Sequence, residues 1–322
     1  MKSRKPSLFS LILALAVPAA AAAQSVPGTR AAGMAGAFVA VVDDASAVYW
    51  NPAGVATGAI VSAVIELGRV KAELPTQIPV NQWDTVGMAA LSATAIGLAY
   101  YRLDTYGRPP ELPAVTGAPS REEMRRSVHA TTSSLGVSLV QSLGERLVVG
   151  AAPKVVRAAG STSFDVDAGA MVSLNRCRLG LVARNLTTPA FGSPARATVV
   201  ARAGEPGVSD TFELPREVRG GVAWGSGWTG ISRVIVSVDG DLTRRASPLG
   251  DRRDVAAGVE TWWSGQRIGV RGGVRRSTIG DARPAAAAGV SAGLRPGMLV
   301  EAHVERGDAG HRSWSIGARM SF

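Results

Sequence analysis

The sequence predicts an all-β protein: a transmembrane antiparallel β-barrel of about 14 strands, with an N-terminal plug in its lumen. Three observations support this fold class. From Thr57 onward, apolar and polar residues alternate with a period of two. Short and long connections alternate between the predicted strands. From Arg312 to Phe322 the chain forms an amphipathic strand that ends on an aromatic residue.

The first residues have the pattern of a secretory signal peptide. Lys2 to Lys5 is basic, residues 8–17 are apolar, and Ala21 to Ala23 satisfy the small-residue rule for cleavage. We therefore expect residues 1–23 to be removed and the mature chain to begin at Gln24. A transmembrane anchor is the alternative, but the apolar run is short for a spanning helix.

Composition limits the remaining possibilities. The chain has 322 residues and a formal charge of +10, with cations spread along strands and loops. Because they are not interleaved with aromatic residues in a known motif, nucleic acid is not an expected partner. The single cysteine, Cys177, excludes an internal disulfide framework. Aromatic residues make up only 5% of the chain, which is low for a barrel with two aromatic girdles.

The alternation defines the strands. In the first of them, Val61, Ala63 and Ile65 share one face, and Ser62 and Glu66 share the other. The predicted strands are 58–72, 81–91, 94–104, 127–141, 146–156, 162–174, 177–186, 213–225, 230–242, 254–264, 266–276, 285–295, 298–306 and 312–322. Connections after even-numbered strands are mostly short, and those at 105–126, 187–212, 243–253 and 277–284 are longer. This asymmetry is typical of outer-membrane barrels, which have short periplasmic turns and longer external loops.

In lipid, every backbone polar group needs an internal partner, so spanning strands must close into a barrel. The apolar faces would then meet lipid and the polar faces would line the lumen. Mixed charges on the polar faces predict ion pairs, for example Glu260 with Arg271 across a hairpin. The solvated face of a soluble β protein is the alternative for each residue alone. The predicted inward charges are Glu66, Asp165, Asp167, Arg178, Arg184, Arg219, Asp239, Glu260, Arg267, Arg271, Glu301, Glu305 and Arg319.

Arginine pairs lie at or beside the predicted external loops, at residues 125–126, 244–245, 252–253 and 275–276. They could contact the phosphates of outer-leaflet lipopolysaccharide. Ordinary solvation of the loops is the favoured interpretation, because basic clusters in loops are often simply solvent-exposed charges.

Ahead of the strands, residues 31–54 are too apolar for a flexible tail and lack strand alternation, which indicates a compact plug. The segment ends in Asn51-Pro52-Ala53-Gly54, a sequence suited to a type I turn. The run from Gly28 to Gly54 closely resembles the N-terminal hatch of the FadL-like outer-membrane family. This family includes long-chain fatty acid transporters and PorV/PorQ-like proteins, and its Asn-Pro-Ala hallmark falls on residues 51–53.

Further resemblances lie in the barrel. Residues 179–189 and 214–224 are similar to mid-barrel segments of PorV-like members. The closing strand resembles the signal that the outer-membrane assembly machinery recognises. Its outward residues would be Trp314, Ile316, Met320 and Phe322.

The resemblance implies a hatch at residues 24–56, a barrel at 57–322 and a location in the outer membrane. It implies passive uptake of fatty-acid-like hydrophobic molecules. Phe38, Val42, Tyr49 and Trp50 are the candidate ligand pocket, and Asn51, Pro52 and Ala53 would form the hatch turn. The alternative is a PorV-like partner or anchor for secreted or surface proteins, without transport. A soluble periplasmic β domain is a third possibility.

Catalysis finds little support in the sequence. His129, His303 and His311 are not in paired spacing, and no hydrolase, metalloprotease or phosphate-loop motif is present. A hydrolase could use His303 with Glu301 or Glu305, but structural roles are favoured. We therefore expect no enzyme activity, no cofactor and no metal site.

Overall fold

The computed structural model describes residues 27–71, 83–106, 129–158, 160–192, 212–226, 233–245, 251–308 and 310–322. The predicted signal peptide and Arg125-Arg126 lie outside these residues. Within the described part of the chain, no helix is long and apolar enough to cross a membrane.

Among the described residues, three short helices precede the strands, and sixteen strands follow. The helices are α1 (Thr29–Gly33), α2 (Ala47–Trp50) and the 3₁₀ helix η1 (Pro52–Thr57). The strands are β1 (Val61–Lys71), β2 (Asp84–Ala93), β3 (Ile96–Tyr106), β4 (His129–Leu143), β5 (Leu147–Ala158), β6 (Ser161–Leu174), β7 (Cys177–Arg184), β8 (Ala190–Phe191), β9 (Phe212–Glu213), β10 (Glu217–Gly225), β11 (Arg233–Asp241), β12 (Asp254–Trp263), β13 (Ile268–Ser277), β14 (Ala285–Arg295), β15 (Met298–Gly307) and β16 (Arg312–Ser321).

Fourteen of the strands form one closed antiparallel barrel, in which most strands pair with the strands before and after them in the chain. β7 pairs directly with β10, and the two-residue strands β8 and β9 form a separate ribbon between them. β1 pairs with β16 from Ser62 opposite Ser321 to Lys71 opposite Arg312, which closes the sheet. The predicted antiparallel barrel and its count of about 14 strands are confirmed, with strand ends within about 4 residues of the predicted ones. The ribbon was not predicted.

The period-two pattern sorts side chains between the two surfaces of the barrel. On β1, Ile65 and Leu67 are each 61% exposed on the outside, whereas Glu66 between them is 6% exposed. The predicted cross-strand pair is present, with Arg271 Nε 3.4 Å from Glu260 Oε1 and the two residues directly opposite in β12 and β13. One predicted inward charge is wrong: Arg267 lies exposed in the turn between these strands, because β13 begins at residue 268.

The two ends of the barrel differ. The short-turn end carries the connections 94–95, 144–146, 175–176, 226–232, 264–267 and 296–297. The long-loop end carries 72–83, 107–128, 185–216, 242–253 and 278–284, although the connections 159–160 and 308–311 at this end are short. Exposed Trp224, Trp263 and Phe322 lie near the short-turn end, and Phe164 and Trp314 lie nearer the long-loop end. In outer-membrane barrels the short turns face the periplasm.

The closing strand presents its alternate residues on the outer surface. Trp314, Ile316, Met320 and Phe322 are 40 to 67% exposed there. Such a lipid-facing stripe is what an assembly signal requires, and recognition by the assembly machinery stays a prediction.

Residues 27–59, here called the N-terminal segment, pack against the inward side chains of the barrel. α1 contacts β13 to β16, and η1 contacts β2 and β4 to β6. Most of the segment is buried, and its apolar residues form the largest core cluster together with inward residues of the strands. The predicted domain boundaries at residues 23 and 56, and the movement that the word hatch implies, stay predictions.

Candidate functional site

The Asn-Pro-Ala sequence ties the N-terminal segment to the barrel wall. Asn51 is fully buried, and its Nδ2 donates to the carbonyl oxygens of Val39, at 3.0 Å, and Ala170 on β6, at 3.2 Å. Its Oδ1 accepts from Ala53 N at 3.2 Å, so Asn51 also caps η1, which has Pro52 in its first turn. One side chain therefore fixes a turn, a neighbouring loop and the wall.

Two glycines receive this turn. Gly150 on β5 and Gly169 on β6 are directly opposite each other. A Cβ atom on Gly150 would lie 2.7 Å from the carbonyl carbon of Pro52, and one on Gly169 would lie 2.1 Å from Asn51 Oδ1. Only residues without a side chain allow the turn to approach the wall so closely.

A buried ion network forms the second attachment. Arg30 of α1 contacts Asp43 at 2.5 Å, Asp44 at 3.3 Å and Glu260 of β12 at 2.6 Å. Asp44 also lies 3.5 Å from Arg319 of β16. Because charges out of water are costly unless paired, these contacts hold α1 and the loop after it to specific strands.

The network continues along the wall. Arg271 lies 3.4 Å from Glu260 and 3.2 Å from Glu301, and Arg319 lies 3.3 Å from Glu301. Arg233 of β11 lies 3.5 Å from Asp43. Four arginines thus face four carboxylates across β11 to β16 and the N-terminal segment, which leaves the charges of this group balanced.

These contacts change the proton affinities of the segment. Burial raises the pKa of Asp43, but the nearby charges of Arg30, Arg233 and Arg178 outweigh it and lower that pKa to about 2. Burial lowers the pKa of Arg30, yet Asp43 and Glu260 raise it well above its usual value. Both groups therefore stay charged at neutral pH.

Backbone atoms of the segment are held as well. Asp239 Oδ2 on β11 accepts from the N–H groups of Phe38 and Val39, both at 2.7 Å. Arg184 donates to the carbonyl oxygen of Trp50 at 3.2 Å, and its guanidinium carbon lies 4.5 Å from the centre of the Tyr49 ring. The segment is thus attached to the wall on several sides.

The predicted ligand-pocket residues come together in the structure. Phe38, Val42 and Trp50 are 0 to 4% exposed in one core cluster, against which Tyr49 packs. The rings of Phe38 and Trp50 meet edge to face, with centroids 5.8 Å apart. The ring of Tyr49 lies 5.6 Å from that of Tyr101 on β3. Contact of these residues with a ligand stays a prediction.

Tyr101 belongs to an apolar strip that the sequence did not reveal. Val86 lies opposite Leu103 and Met88 opposite Tyr101 on the inner surface of β2 and β3, and Val70 of β1 packs beside them. The sequence analysis assigned the polar face of each strand to the lumen. Because β2 has apolar residues on both faces, periodicity alone could not decide which face of β2 points into the lumen. The regular spacing of Val86, Met88 and Ala90 was the available signal. The strip begins on β1, which pairs with β16, so it adjoins the strands that carry the ion network, β11 to β16.

His303 is engaged by hydroxyl groups on both ring nitrogens. Its Nδ1 lies 2.6 Å from Ser315 Oγ and its Nε2 lies 3.2 Å from Ser313 Oγ, while Ser313 donates to Glu305 at 3.2 Å. A serine–histidine–acid relay needs the carboxylate on the ring, where it would orient the base. Within the described ranges, no cluster of histidine, cysteine, aspartate or glutamate could hold a metal ion. The side chain of His129 lies outside the description.

No curated protein sequence matches the chain. A family model described as "F plasmid transfer operon, TraF, protein" matches residues 124–241, which is less than half of the chain. This match runs from ahead of β4 to β11.

Solved structures match over nearly the whole chain. The CymD monoaromatic hydrocarbon channel has a TM-score of 0.60 and 12% identity, and the match covers 92% of this chain and 97% of that one. The Ralstonia pickettii toluene transporter TbuX has a TM-score of 0.59 and 10% identity, covering 92% and 98%. A Pseudomonas aeruginosa FadL homologue has a TM-score of 0.56 and 13% identity, covering 92% and 99%. At such identities the likeness establishes the fold: the chain has the 14-stranded architecture of the FadL-family outer-membrane transporters, which supports a location in the outer membrane.

Proposed function

We propose that this barrel allows hydrophobic small molecules to cross the outer membrane passively. The observation that carries the proposal is the apolar strip on β1 to β3, which continues through the contact between Tyr101 and Tyr49 into the core of the N-terminal segment. An apolar lining lowers the free energy of an apolar solute relative to water. The printed names of similar structures, a monoaromatic hydrocarbon channel and a toluene transporter, agree with this class of solute.

In this mechanism the solute enters at the long-loop end and moves along the strip toward Tyr49, Trp50 and Phe38. Release on the periplasmic side requires the N-terminal segment to shift or the wall to part. The direction of net movement follows the concentration gradient, because nothing in the proposal couples passage to an energy source.

The position of Arg184 bears on the substrate class. Its guanidinium lies over the ring of Tyr49, at the inner end of the strip, and its Nε has no hydrogen-bond partner among the described residues. A fatty-acid-like molecule lying along the strip would place its carboxylate beside the Arg184 guanidinium. A neutral hydrocarbon has no charged group to pair with this guanidinium. Arg184→Gln should therefore reduce fatty acid uptake and leave toluene uptake unchanged.

Uptake into proteoliposomes tests the main proposal. Leu103→Asn places an amide in the strip, where an apolar solute cannot satisfy it, and we expect uptake to fall about tenfold. Ala287→Asn is the matched control, because Ala287 is also inward and 9% exposed, as against 2% for Leu103, but lies on β14, away from the strip. Uptake by wild type no faster than by empty liposomes, or equal uptake by Leu103→Asn and wild type, would refute the proposal.

A second candidate function is a partner or anchor for secreted or surface proteins. The observation favouring it is the set of buried attachments of the N-terminal segment, at Asn51, Arg30 and Asp239, which favour a static interior. Purification from native membranes after cross-linking separates the two functions. A stoichiometric protein partner together with no uptake would favour this candidate, and co-purified fatty acid or hydrocarbon would favour transport.

A further inference from the structure

A groove of about 470 Å³ lies on the outer surface of the barrel at the long-loop end. Its floor is formed by the outward residues Ala257, Val274 and Ala286, which are consecutive cross-strand neighbours on β12, β13 and β14. The next residue in the same row is Arg306 on β15. The groove therefore has an apolar floor that ends at a cation, in the part of the wall that faces lipid.

Three exposed arginines border this area. Arg276 and Arg306 line the groove, and Arg312 lies directly opposite Arg306 on β16. Within the described part of the chain, none of these three guanidinium groups forms an ion pair or hydrogen bond. The neighbouring inward residue Arg275, by contrast, is paired with Glu305 at 2.7 Å.

The register adds a second argument. Arg306 and Arg312 are direct cross-strand partners on β15 and β16. Like charges directly opposite one another destabilise a sheet unless an anion lies between them. The row thus supplies a site for an anionic group beside an apolar groove.

We propose that this surface binds one molecule of lipopolysaccharide from the outer leaflet. An acyl chain lies on the floor formed by Ala257, Val274 and Ala286. A lipid A phosphate lies between the guanidinium groups of Arg306 and Arg312, within reach of Arg276. Arginine suits this role because its planar donors match phosphate oxygens in pairs.

The long-loop end is the external side of an outer-membrane barrel, and the external leaflet is where lipopolysaccharide resides. The volume of the groove is within the usual range of about 300–1,000 Å³ for small-molecule sites. The inference depends on the outer-membrane location and is independent of transport. Ordinary loop solvation was the interpretation favoured by the sequence for the pair Arg275-Arg276. The proposal gives Arg276 a role in binding phosphate.

Native mass spectrometry of the purified full-length protein in detergent tests the proposal, with rough-type lipopolysaccharide as the probe. We expect wild type to bind one molecule. Arg306→Glu combined with Arg312→Glu should weaken binding at least tenfold, since two charge-assisted contacts become repulsive. Arg295→Glu is the matched control, because Arg295 is an exposed arginine at the short-turn end, and its binding should equal that of wild type.

Ala286→Phe fills the groove without changing any charge and should also weaken binding several-fold. Retention of the compact, heat-modifiable band on gels verifies that each variant is folded. Equal binding by the double charge variant and wild type would overturn the proposal, as would unchanged binding by Ala286→Phe. Equal affinity for phosphatidylglycerol would also overturn it, since the site would then bind anionic lipid without selecting lipopolysaccharide.

Discussion

Asn51 provides the sharpest test of how the N-terminal segment is held. Replacing Asn51 by alanine removes three hydrogen bonds: those to Val39 O, to Ala170 O and from Ala53 N. At about 1 kcal/mol net for each bond, the attachment should weaken by about 3 kcal/mol. Asn51→Asp should be worse, because it removes both donors and points a buried charge at two carbonyl oxygens.

Hydrogen exchange of peptides from residues 28–57, followed by mass spectrometry, measures this attachment directly. A loss of about 3 kcal/mol corresponds to exchange about a hundredfold faster in the segment, while the strands keep their protection. Gln141→Ala is the control, since Gln141 is exposed and its side chain reaches only Ser142 O. If the aspartate variant exchanged as slowly as wild type, the assigned role of the Asn51 amide would be wrong.

Three further predictions concern the wall and the ion network. Gly169→Ala should lower the temperature at which the folded band disappears on gels, because the new Cβ would lie 2.1 Å from Asn51 Oδ1. Gly87→Ala is the control and should leave that temperature unchanged, because no atom lies closer than 3.4 Å to a Cβ at that position. Glu260→Gln removes the carboxylate that Arg30 and Arg271 share and leaves four buried arginines facing three carboxylates. This uncompensated charge should cost about 3–5 kcal/mol in urea unfolding, so a loss below about 1 kcal/mol would contradict the network. The pKa of Asp43 falls from 3.8 to about 2 on folding, so its stabilisation, on the order of 2 kcal/mol, is complete above about pH 4 and is lost as pH falls toward 2. In Asp43→Asn, the free energy of unfolding should therefore fall less steeply as pH decreases from about 4 to about 2 than it does in wild type. The same pH dependence in the variant and wild type would argue against the assigned pKa.

The strands were predictable because their signal is local. Alternation along β12 and β13, with a short turn between them, places Glu260 opposite Arg271, and the structure confirms that pair. Contacts between distant parts of the chain carry no such signal. Nothing in the sequence near Phe38 indicates that Asp239 will accept its N–H group, and nothing near Asn51 indicates a receiving glycine on β6.

The apolar strip was missed for a different reason. In β2, residues on both faces are apolar or small, so either face could have been directed toward lipid. The closed geometry decides the orientation, because Met88 must face the same side as its partner Tyr101. Predicting this required the register between neighbouring strands, which periodicity within a single strand does not supply.

The inner surface divides its two tasks between neighbouring arcs of the wall, with β1 between them. Most buried charges that hold the N-terminal segment are on β11 to β16, whereas Val86, Leu103 and Tyr101 are on β2 and β3. Variation in substrate preference can therefore accumulate on one arc while the other keeps the interior fixed. A library randomised at these three positions should yield folded barrels with altered solute preference at a higher frequency than one randomised among the arginines of β11 to β16.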